Sequence, residues 1–406
     1  MGSARAGMTY VIYGSAGYKR FFKKSVSGQF VKDCSGIDCI PQGIIANTFP
    51  KKGFGIFTAD KQFVPASLQI RNGQGQLVPD ISNLADIPYV DEDVVYLGNV
   101  YDVFGHFILG HLNRAHALFR LPRGVKCVLI NYKRLPKIPE YMFAFIELLG
   151  VKREDIIILD KTTKFRNVYI ANQGFCIPSY TSQEFAQIFD TMAANVPSPD
   201  VIYDKIYLSR TKMGARKTYG EEHIEQIFEK NGYKILHPET MALRDQIGLI
   251  KNCSVLAGCG GSALHMSLFM THGTVINLRR NRKYKSNANI QHLINMTKDL
   301  TTVIIDASIE KVKTRHGGDV PQIIGPTKYL KQFFDDNNMS YDLADTEINT
   351  ELYNEYLNAL AVYKSENGNV MLNKCKRTVR KFICVFIPGR ARRARVRQRL
   401  KEILGA

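Results

Sequence analysis

The hydrophobic pattern of the chain changes period repeatedly, from the continuous or alternating runs of strands to the 3.6-residue spacing of helices. Strands are predicted at 94–97, 126–131, 155–160, 205–209, 233–236, 254–257 and 274–278. Helices are predicted at 104–119, 139–149, 221–230 and 242–252, with a further helical, acidic stretch at 328–363. Because short apolar strands joined by helices form parallel sheets covered on both faces, the pattern predicts an α/β fold of open, doubly wound sheets.

A break in this pattern divides the chain. Residues 178–200 end with Pro197, Ser198, Pro199 and Asp200, a composition typical of a linker. A length of 406 residues also suggests two domains. We therefore predict two Rossmann-like domains that face a cleft, over 1–190 and 200–325, followed by a helical return over 326–373 and a basic tail over 374–406.

Positive charge is concentrated in that tail. The chain carries 55 Lys or Arg and 37 Asp or Glu residues, a formal net charge of +18. Twelve Lys or Arg residues and one acidic residue lie within 374–402, so eleven of the excess charges belong there. The tail also contains the apolar run 382–387, and an apolar patch flanked by cations suits an anionic membrane surface. The alternatives are a nucleic-acid-binding arm and a solvated tail.

The spacing of the cysteines argues against a structural zinc site, and the length of the apolar runs argues against a transmembrane helix. The eight cysteines show no C-x-x-C spacing, so a structural zinc site is not expected. Several of them lie inside apolar runs, where free Cys acts as a small core residue. No run of 18 or more apolar residues exists, as a transmembrane helix would need. We expect reduced thiols and a cytoplasmic chain.

A glycine-rich turn at 258–265 is the most informative segment. It follows a predicted strand and opens a helix, where backbone N–H groups and the helix dipole receive phosphate groups. Gly260 and Gly261 allow close approach to the backbone, and Ser262 adds a hydroxyl group at the N-cap position. The alternative is a tight turn without a ligand, since such turns are common.

Cations follow the neighbouring predicted strand. Arg210, Arg216 and Lys217 belong to a nine-residue stretch, 209–217, with four cations and no acidic residue. Ligands bind at the carboxyl ends of strands in open α/β sheets, and two guanidinium groups there can hold a diphosphate. We predict anion recognition by this stretch, with a solvated loop as the alternative.

His106 is the candidate general base of the first half. It follows Gly105 at the predicted start of a helix, and an imidazole titrates close to working pH. A packed or capping role is the alternative. His111 and His116 follow at five-residue intervals, which turn about 140° around a 3.6-residue helix, so we expect no shared metal ion. The acidic run 91–93 is expected to be a solvated loop.

These motifs, in this order, resemble glycosyltransferase family 61, whose members are inverting enzymes with a GT-B-like fold. The second half has an Arg after a strand, a second Arg, an acidic pair that begins a helix, a Gln on the next helix, and the glycine-rich turn with its His. The first half has a Gly-His-aromatic motif at 105–107, followed by a helix that contains an Arg. Together these segments cover about half of the chain.

The resemblance implies individual roles. The implied donor-binding residues are Arg210, Arg216, Lys217, Glu222, Gln246, Gly260, Gly261, Ser262 and His265. His106 would be the catalytic base, with Asp102 as the second candidate. No cofactor and no metal ion are implied, because the nucleotide sugar is itself the substrate. Gly110 and His111 stand where the family often has an acidic residue, and Met266 where it often has Asn.

We therefore expect an inverting, metal-independent glycosyltransferase that builds a bacterial capsular or surface polysaccharide from a nucleotide sugar, with uridine diphosphate as the expected carrier. Domain 1–190 would bind the acceptor and domain 200–325 the donor, on the inner face of the cytoplasmic membrane. An epimerase-like enzyme that binds nucleotide sugars is one alternative. A nucleic-acid-binding protein is the other, although the tail has only two aromatic residues, Phe382 and Phe386.

Overall fold

The computed structural model describes residues 10–48, 53–71, 73–122, 124–131, 134–214, 217–280, 286–309, 320–342 and 349–366. Its strands, in chain order, are β1 (Tyr10–Tyr13), β2 (Phe30–Val31), β3 (Ile37–Pro41), β4 (Ile44–Asn47), β5 (Phe54–Phe57), β6 (Ile70–Arg71), β7 (Gln74–Gly75), β8 (Tyr89–Asn99), β9 (Lys126–Ile130), β10 (Ile156–Leu159), β11 (Thr163–Ala171), β12 (Tyr180–Thr181), β13 (Lys205–Leu208), β14 (Thr218–Tyr219), β15 (Lys234–Leu236), β16 (Val255–Cys259), β17 (His272–Arg279), β18 (Asp299–Asp306) and β19 (Gln322–Ile323). Its α-helices are α1 (Ala16–Val26), α2 (Phe104–His106), α3 (Glu140–Glu147), α4 (Gln183–Ala194), α5 (Glu221–Lys230), α6 (Leu243–Ile250), α7 (Ser286–Asn295) and α8 (Lys328–Asp336). Residues 350–366 are also helical.

A six-stranded parallel sheet carries the second half of the chain. Its strand order is β1-β18-β17-β16-β13-β15. The four strands predicted at 205–209, 233–236, 254–257 and 274–278 are confirmed as β13, β15, β16 and β17. Their central residues are apolar and largely buried, so both faces of the sheet are covered, as expected for parallel strands.

The first strand and helix belong to this same sheet. β1 pairs with β18 in parallel, and Phe22 and Val26 of α1 pack against Ile304. Residues 10–26 therefore lie with the six-stranded sheet, although the domain prediction grouped them with residues up to 190. The domain boundaries themselves stay a prediction.

The other large sheet is mixed rather than doubly wound. Its seven strands follow the order β10-β9-β8-β11-β4-β5, and β3 also pairs with β11. The pairs β8–β9, β9–β10 and β8–β11 are parallel. The pairs β3–β11, β4–β11 and β4–β5 are antiparallel. The fold is mixed α/β as predicted, but the doubly wound prediction did not include the three short antiparallel strands before residue 58 that join this sheet.

A helix occupies the predicted linker. Within 178–200, α4 begins after Ser182, whose side chain accepts a hydrogen bond from the Phe185 N–H at 3.1 Å. Phe185 and Phe189 are fully buried, and Phe189 packs edge-on against Phe269 at 5.4 Å between ring centroids. Residues 183–194 of the predicted linker are therefore a helix whose apolar stripe belongs to the same core cluster as Leu112 and Phe269.

The segment predicted as a helix at 104–119 is helical but irregular. It begins as one α-turn, α2, continues as a π-helical turn at Phe107–His111, and ends as a 3₁₀-helix at Leu112–Phe119. Single π-turns are rare and occur often at functional sites.

The helical return predicted at 326–373 contains α8 and the helix at 350–366. The basic tail lies outside the described residues. Within the residues that are described, no helix is both long enough and apolar enough to cross a membrane.

Candidate functional site

The carboxyl ends of three adjacent strands bring the candidate donor residues together. β13, β16 and β17 are neighbours in the six-stranded sheet, and their chains leave it at Leu208, Cys259 and Arg279. Gly260 and Arg280 directly follow the ends of β16 and β17, and Arg210 lies two residues after the end of β13. In an open parallel sheet this edge is where ligands bind.

The glycine-rich turn is fixed from both sides. The Gly260 N–H donates to the Leu278 carbonyl at 2.8 Å, and the Gly260 carbonyl accepts from Arg280 Nε at 2.9 Å. A Cβ at Gly260 would lie 2.8 Å from Asn277 Oδ1, so a larger residue would force either the Asn277 side chain or the turn to shift. The 3₁₀-helix Ser262–Phe269 then begins at the turn, with Gly261 as its cap residue.

Two guanidinium groups lie beside Gly261. Its Cβ position would be 3.4 Å from Arg280 Nη2 and 3.5 Å from Arg210 Nη1. Burial, followed by the positive charge of Arg210, lowers the pKa of Arg280 to about 10. Two cations that repel each other at a strand end form a site suited to an anion. Sequence reasoning missed Arg280, although it follows the predicted strand 274–278 by two residues.

Glu221 is the carboxylate of this cluster. Its Oε1 accepts the Arg210 backbone N–H at 3.2 Å, and the residue is 1% exposed. Burial raises the pKa of Glu221 to about 7, against the opposing effects of Arg280 and Arg210. Glu222, chosen from the resemblance, is exposed instead. Gly220 sets this orientation: its left-handed φ of 82° begins α5 so that the first acidic residue, rather than the second, points inward.

The segment around His106 packs directly against the turn. A Cβ at Gly105 would lie 2.6 Å from the Ser262 Cβ and 3.2 Å from His265 Cδ2. Only a glycine therefore allows this approach. The contact joins the first-half motif and the glycine-rich turn in one site.

His265 lies inside that contact. It is 6% exposed, and burial, followed by the charges of His106 and Arg71, lowers its pKa to about 4. The imidazole is therefore neutral at pH 7. It can serve as a hydrogen-bonding group at the base of the turn, but it is not a cation there.

The π-turn brings His106 and His111 to one aromatic ring. The Tyr101 ring lies 5.0 Å from the His106 ring and 5.5 Å from the His111 ring, with which it stacks at 17°. The predicted divergence of these two histidines assumed a 3.6-residue helix. An i→i+5 turn instead returns residues five apart to a similar side. His116 is separate, with Nε2 3.0 Å from the Asn172 carbonyl oxygen.

The remaining predicted residues are dispersed. Asp102 is exposed four residues before His106. Lys217 lies 4.0 Å from Glu355 Oε2, and its ammonium group stands over the Tyr219 ring. The Gln246 side chain donates to the carbonyls of Pro238 and Met241 at 2.8 and 3.0 Å, which makes it a structural brace of that loop. Arg216 lies outside the described residues.

The acidic run 91–93 belongs to β8 rather than to a loop. Asp93 accepts from Arg166 Nε at 2.8 Å and Glu92 pairs with Lys126 at 2.5 Å, so cations already hold these carboxylates. In the part of the chain that the structure describes, no group of three or more His, Cys, Asp or Glu residues is placed to hold a metal ion.

A small, open pocket adjoins His106. Its walls come from residues 69–71, from the 105–110 segment and from 173–177. All three segments belong to the first half of the chain, whereas the turn and the arginines belong to the second.

Comparison with known protein families gives a match over part of the chain. Residues 104–277 match the family model described as Glycosyltransferase 61. The match begins at the His106 segment and ends in β17, so it contains the Gly105 contact, Arg210 and the glycine-rich turn. It confirms the resemblance drawn from the motifs. No curated protein matches the chain.

Proposed function

We propose that this chain, a glycosyltransferase of family 61 by its segment 104–277, is an inverting and metal-independent enzyme that uses a nucleotide diphosphate-sugar. The acceptor is a growing bacterial capsular or surface polysaccharide, and uridine diphosphate is the carrier. The observation that supports this most is the contact of Gly105 with Ser262 and His265, because it holds a candidate base against a candidate diphosphate site.

The donor diphosphate binds at the glycine-rich turn. Arg210 and Arg280 supply forked, charge-assisted hydrogen bonds, and the amides at the start of the Ser262–Phe269 helix supply further donors. These groups stabilise the negative charge that builds on the departing diphosphate. They take the role that a divalent cation has in other transferases, which is why the proposal needs no metal ion.

His106 removes the proton of the acceptor hydroxyl group. Sugar transfer passes through an oxocarbenium-like transition state. The acceptor oxygen, losing its proton to the base, bonds to the anomeric carbon on the face opposite the diphosphate as the bond to the diphosphate breaks, so the centre is inverted in one step. The ring of Tyr101 packs against His106 and limits its orientation. Asp102 is the second candidate for the base. Its exposure leaves it able to bind an acceptor hydroxyl group.

The roles of the two large sheets and of the basic tail are part of the same proposal. The two large sheets carry the two halves of a GT-B-like enzyme, with the acceptor on the seven-stranded side and the donor on the six-stranded side. The basic tail attaches the enzyme to the inner face of the cytoplasmic membrane.

A screen of nucleotide sugars tests the function. A donor at one hundred times its Kd should stabilise the fold by about 2.7 kcal/mol, which a thermal-shift assay resolves, and the enzyme should release its nucleoside diphosphate when an acceptor is present. The Arg210→Ala variant should lose the shift. Arg153→Ala is the matched control, because Arg153 is an exposed partner of Glu140 on the first-half surface. A chain that no nucleotide sugar stabilises contradicts the proposal.

A further inference from the structure

Glu221 places a buried carboxyl group with one unused oxygen beside the two arginines of the donor site. The residue is 1% exposed, and its Oε1 accepts the Arg210 backbone N–H at 3.2 Å and the Tyr207 hydroxyl group at 3.5 Å. Oε2 is buried as well, and no N–H or O–H group of the described residues donates a hydrogen bond to it. A buried carboxylate oxygen without a strong donor is costly when it is charged, so this geometry favours a carboxyl group that carries a proton.

The two arginines have the opposite effect on Glu221. Burial raises the pKa of Glu221, and the positive charges of Arg280 and Arg210 oppose that rise, so the pKa is about 7. The protonated and the charged form of Glu221 are therefore close in free energy at neutral pH. A change in the charge near these arginines decides which of the two forms is present.

The other titratable groups around Glu221 have their own proton or their own partners. Burial raises the pKa values of Tyr207 on β13 and of Cys259 on β16 well above their usual ranges, so both groups are protonated at pH 7. Glu225, one turn further along α5, has two hydroxyl donors at 2.5 and 3.0 Å from its Oε2, and its Oε1 lies 3.8 Å from His237 Nε2. Glu221 is thus the acidic group of this cluster that faces both arginines and lacks such donors.

The same two arginines extend to the place where the diphosphate is expected. Arg280 Nη2 and Arg210 Nη1 lie 3.4 and 3.5 Å from the Cβ position of Gly261 in the glycine-rich turn. An anion at this turn and a charged Glu221 therefore share the same positive charge. Two negative groups that share a site raise each other's pKa, so a bound diphosphate favours the protonated form of Glu221.

We propose that Glu221 takes up a proton from solvent when a diphosphate binds to Arg210 and Arg280, and returns the proton to solvent when the diphosphate leaves. Glu221 is a positioning residue in this scheme, because it holds the Arg210 backbone but does not touch the ligand. The inference rests on the proposed function for the identity of the ligand. It predicts that affinity for the diphosphate falls as the pH rises through 7, since binding consumes a proton.

Calorimetric titration of the full chain with uridine diphosphate counts these protons. The heat of binding is measured at pH 8 in Tris and in HEPES, whose different ionisation enthalpies reveal the number of protons exchanged. The unaltered chain should take up about one proton, because most of the empty site is then charged at Glu221, whereas a terminal phosphate with a pKa of about 6 is already ionised.

Glu221→Gln copies the protonated carboxyl group and should take up no proton. The ratio of the parent Kd to the Kd of this variant should rise about 10-fold from pH 6 to pH 8, as expected for one group that titrates near 7. A purely structural role of Glu221 would change the Kd by the same factor at both pH values. Glu229→Gln is the matched control, because Glu229 is an exposed residue on the last turn of the same helix, and it should behave as the parent does.

Two results would overturn the inference while the measured Kd leaves the proposed function standing: no proton uptake by the unaltered chain at pH 8, or an uptake that persists in Glu221→Gln. Inorganic pyrophosphate separates the opposite case. If pyrophosphate binds with an uptake that Glu221→Gln removes, but uridine diphosphate does not bind, the proposed function fails and the proton-coupled anion site stands. A chain that binds neither anion refutes both.

Discussion

Replacement of Gly105 by Ala is a direct test of the contact that joins the two halves of the site. The added Cβ would lie 2.6 Å from the Ser262 Cβ, an atom that cannot move without the backbone of the turn. Carbon atoms at optimal contact are about 3.5–4.0 Å apart, so the His106 segment and the turn must separate by about 1 Å. Such overpacking typically costs about 1–3 kcal/mol.

The larger effect should be on turnover. A misplacement of about 1 Å can cost about 100-fold in rate, because the base no longer meets the acceptor hydroxyl in line with the donor. Affinity for uridine diphosphate should change little, since the arginines and the turn remain. Steady-state kinetics and calorimetry with the diphosphate measure the two quantities separately.

Gly17→Ala is the matched control. Gly17 lies in α1, and its Cβ would meet no heavy atom closer than Ser15 Oγ at 4.0 Å. Alanine is the better helix former by about 0.8–1.0 kcal/mol, so this variant should be as stable as the parent or more so, with full activity. If Gly105→Ala is as stable and as active as Gly17→Ala, the close packing of the two motifs does not matter for catalysis and the reasoning is refuted.

Three further predictions follow from the donor side and the tail. Arg280→Ala should weaken uridine diphosphate binding as much as Arg210→Ala, by about 10- to 100-fold, because each removes a charge-assisted contact; calorimetry would refute this if either variant keeps the parent Kd. Because burial raises the pKa of Glu221 from 4.5 to about 7, the folded state holds this proton more tightly than the unfolded state. Its contribution to stability is therefore full below pH 4.5 and lost as the pH rises to about 7, at up to about 1.4 kcal/mol per pH unit. Glu221→Gln should therefore weaken the dependence of the unfolding free energy on pH between 4.5 and about 7, as measured by urea unfolding. An unchanged dependence would contradict the raised pKa of Glu221. Deletion of 374–406 should abolish salt-sensitive flotation with anionic vesicles but leave turnover on a soluble acceptor intact; loss of turnover would make the tail part of the catalytic body.

The elements that the sequence predicted well are those with one dominant signal. The strands β13, β15, β16 and β17 are continuous apolar runs between turns, and α5 was predicted at its observed bounds because its apolar spacing is regular. The glycine-rich turn was recognisable since it lies between such a strand and a helix. A parallel sheet then brings the strand ends together without further information.

The elements that the sequence missed depend on tertiary context. α4 has a capping Ser and an apolar stripe, but the prolines that follow it are a stronger sequence signal and indicate a linker over 178–200. Glu221 and Glu222 differ only in helical phase, which the left-handed Gly220 fixes. Arg280 is one of four Arg or Lys residues within 279–283, and its hydrogen bonds to the Gly260 carbonyl and to Thr218 distinguish it. No periodicity indicates a π-turn in advance.

Acceptor-dependent release of a nucleoside diphosphate, measured together with its binding in the His106→Ala variant, tests the central claim most directly. The account predicts that the unaltered chain releases uridine diphosphate from a matching donor only when an acceptor is present. It predicts that His106→Ala lowers this rate by about 10²–10⁴-fold while the Kd for uridine diphosphate stays within about twofold. A His106→Ala variant that is folded, binds the diphosphate and retains full acceptor-dependent turnover would contradict the assignment of the base. In that case, loss of activity in Asp102→Asn would transfer the role to the carboxylate.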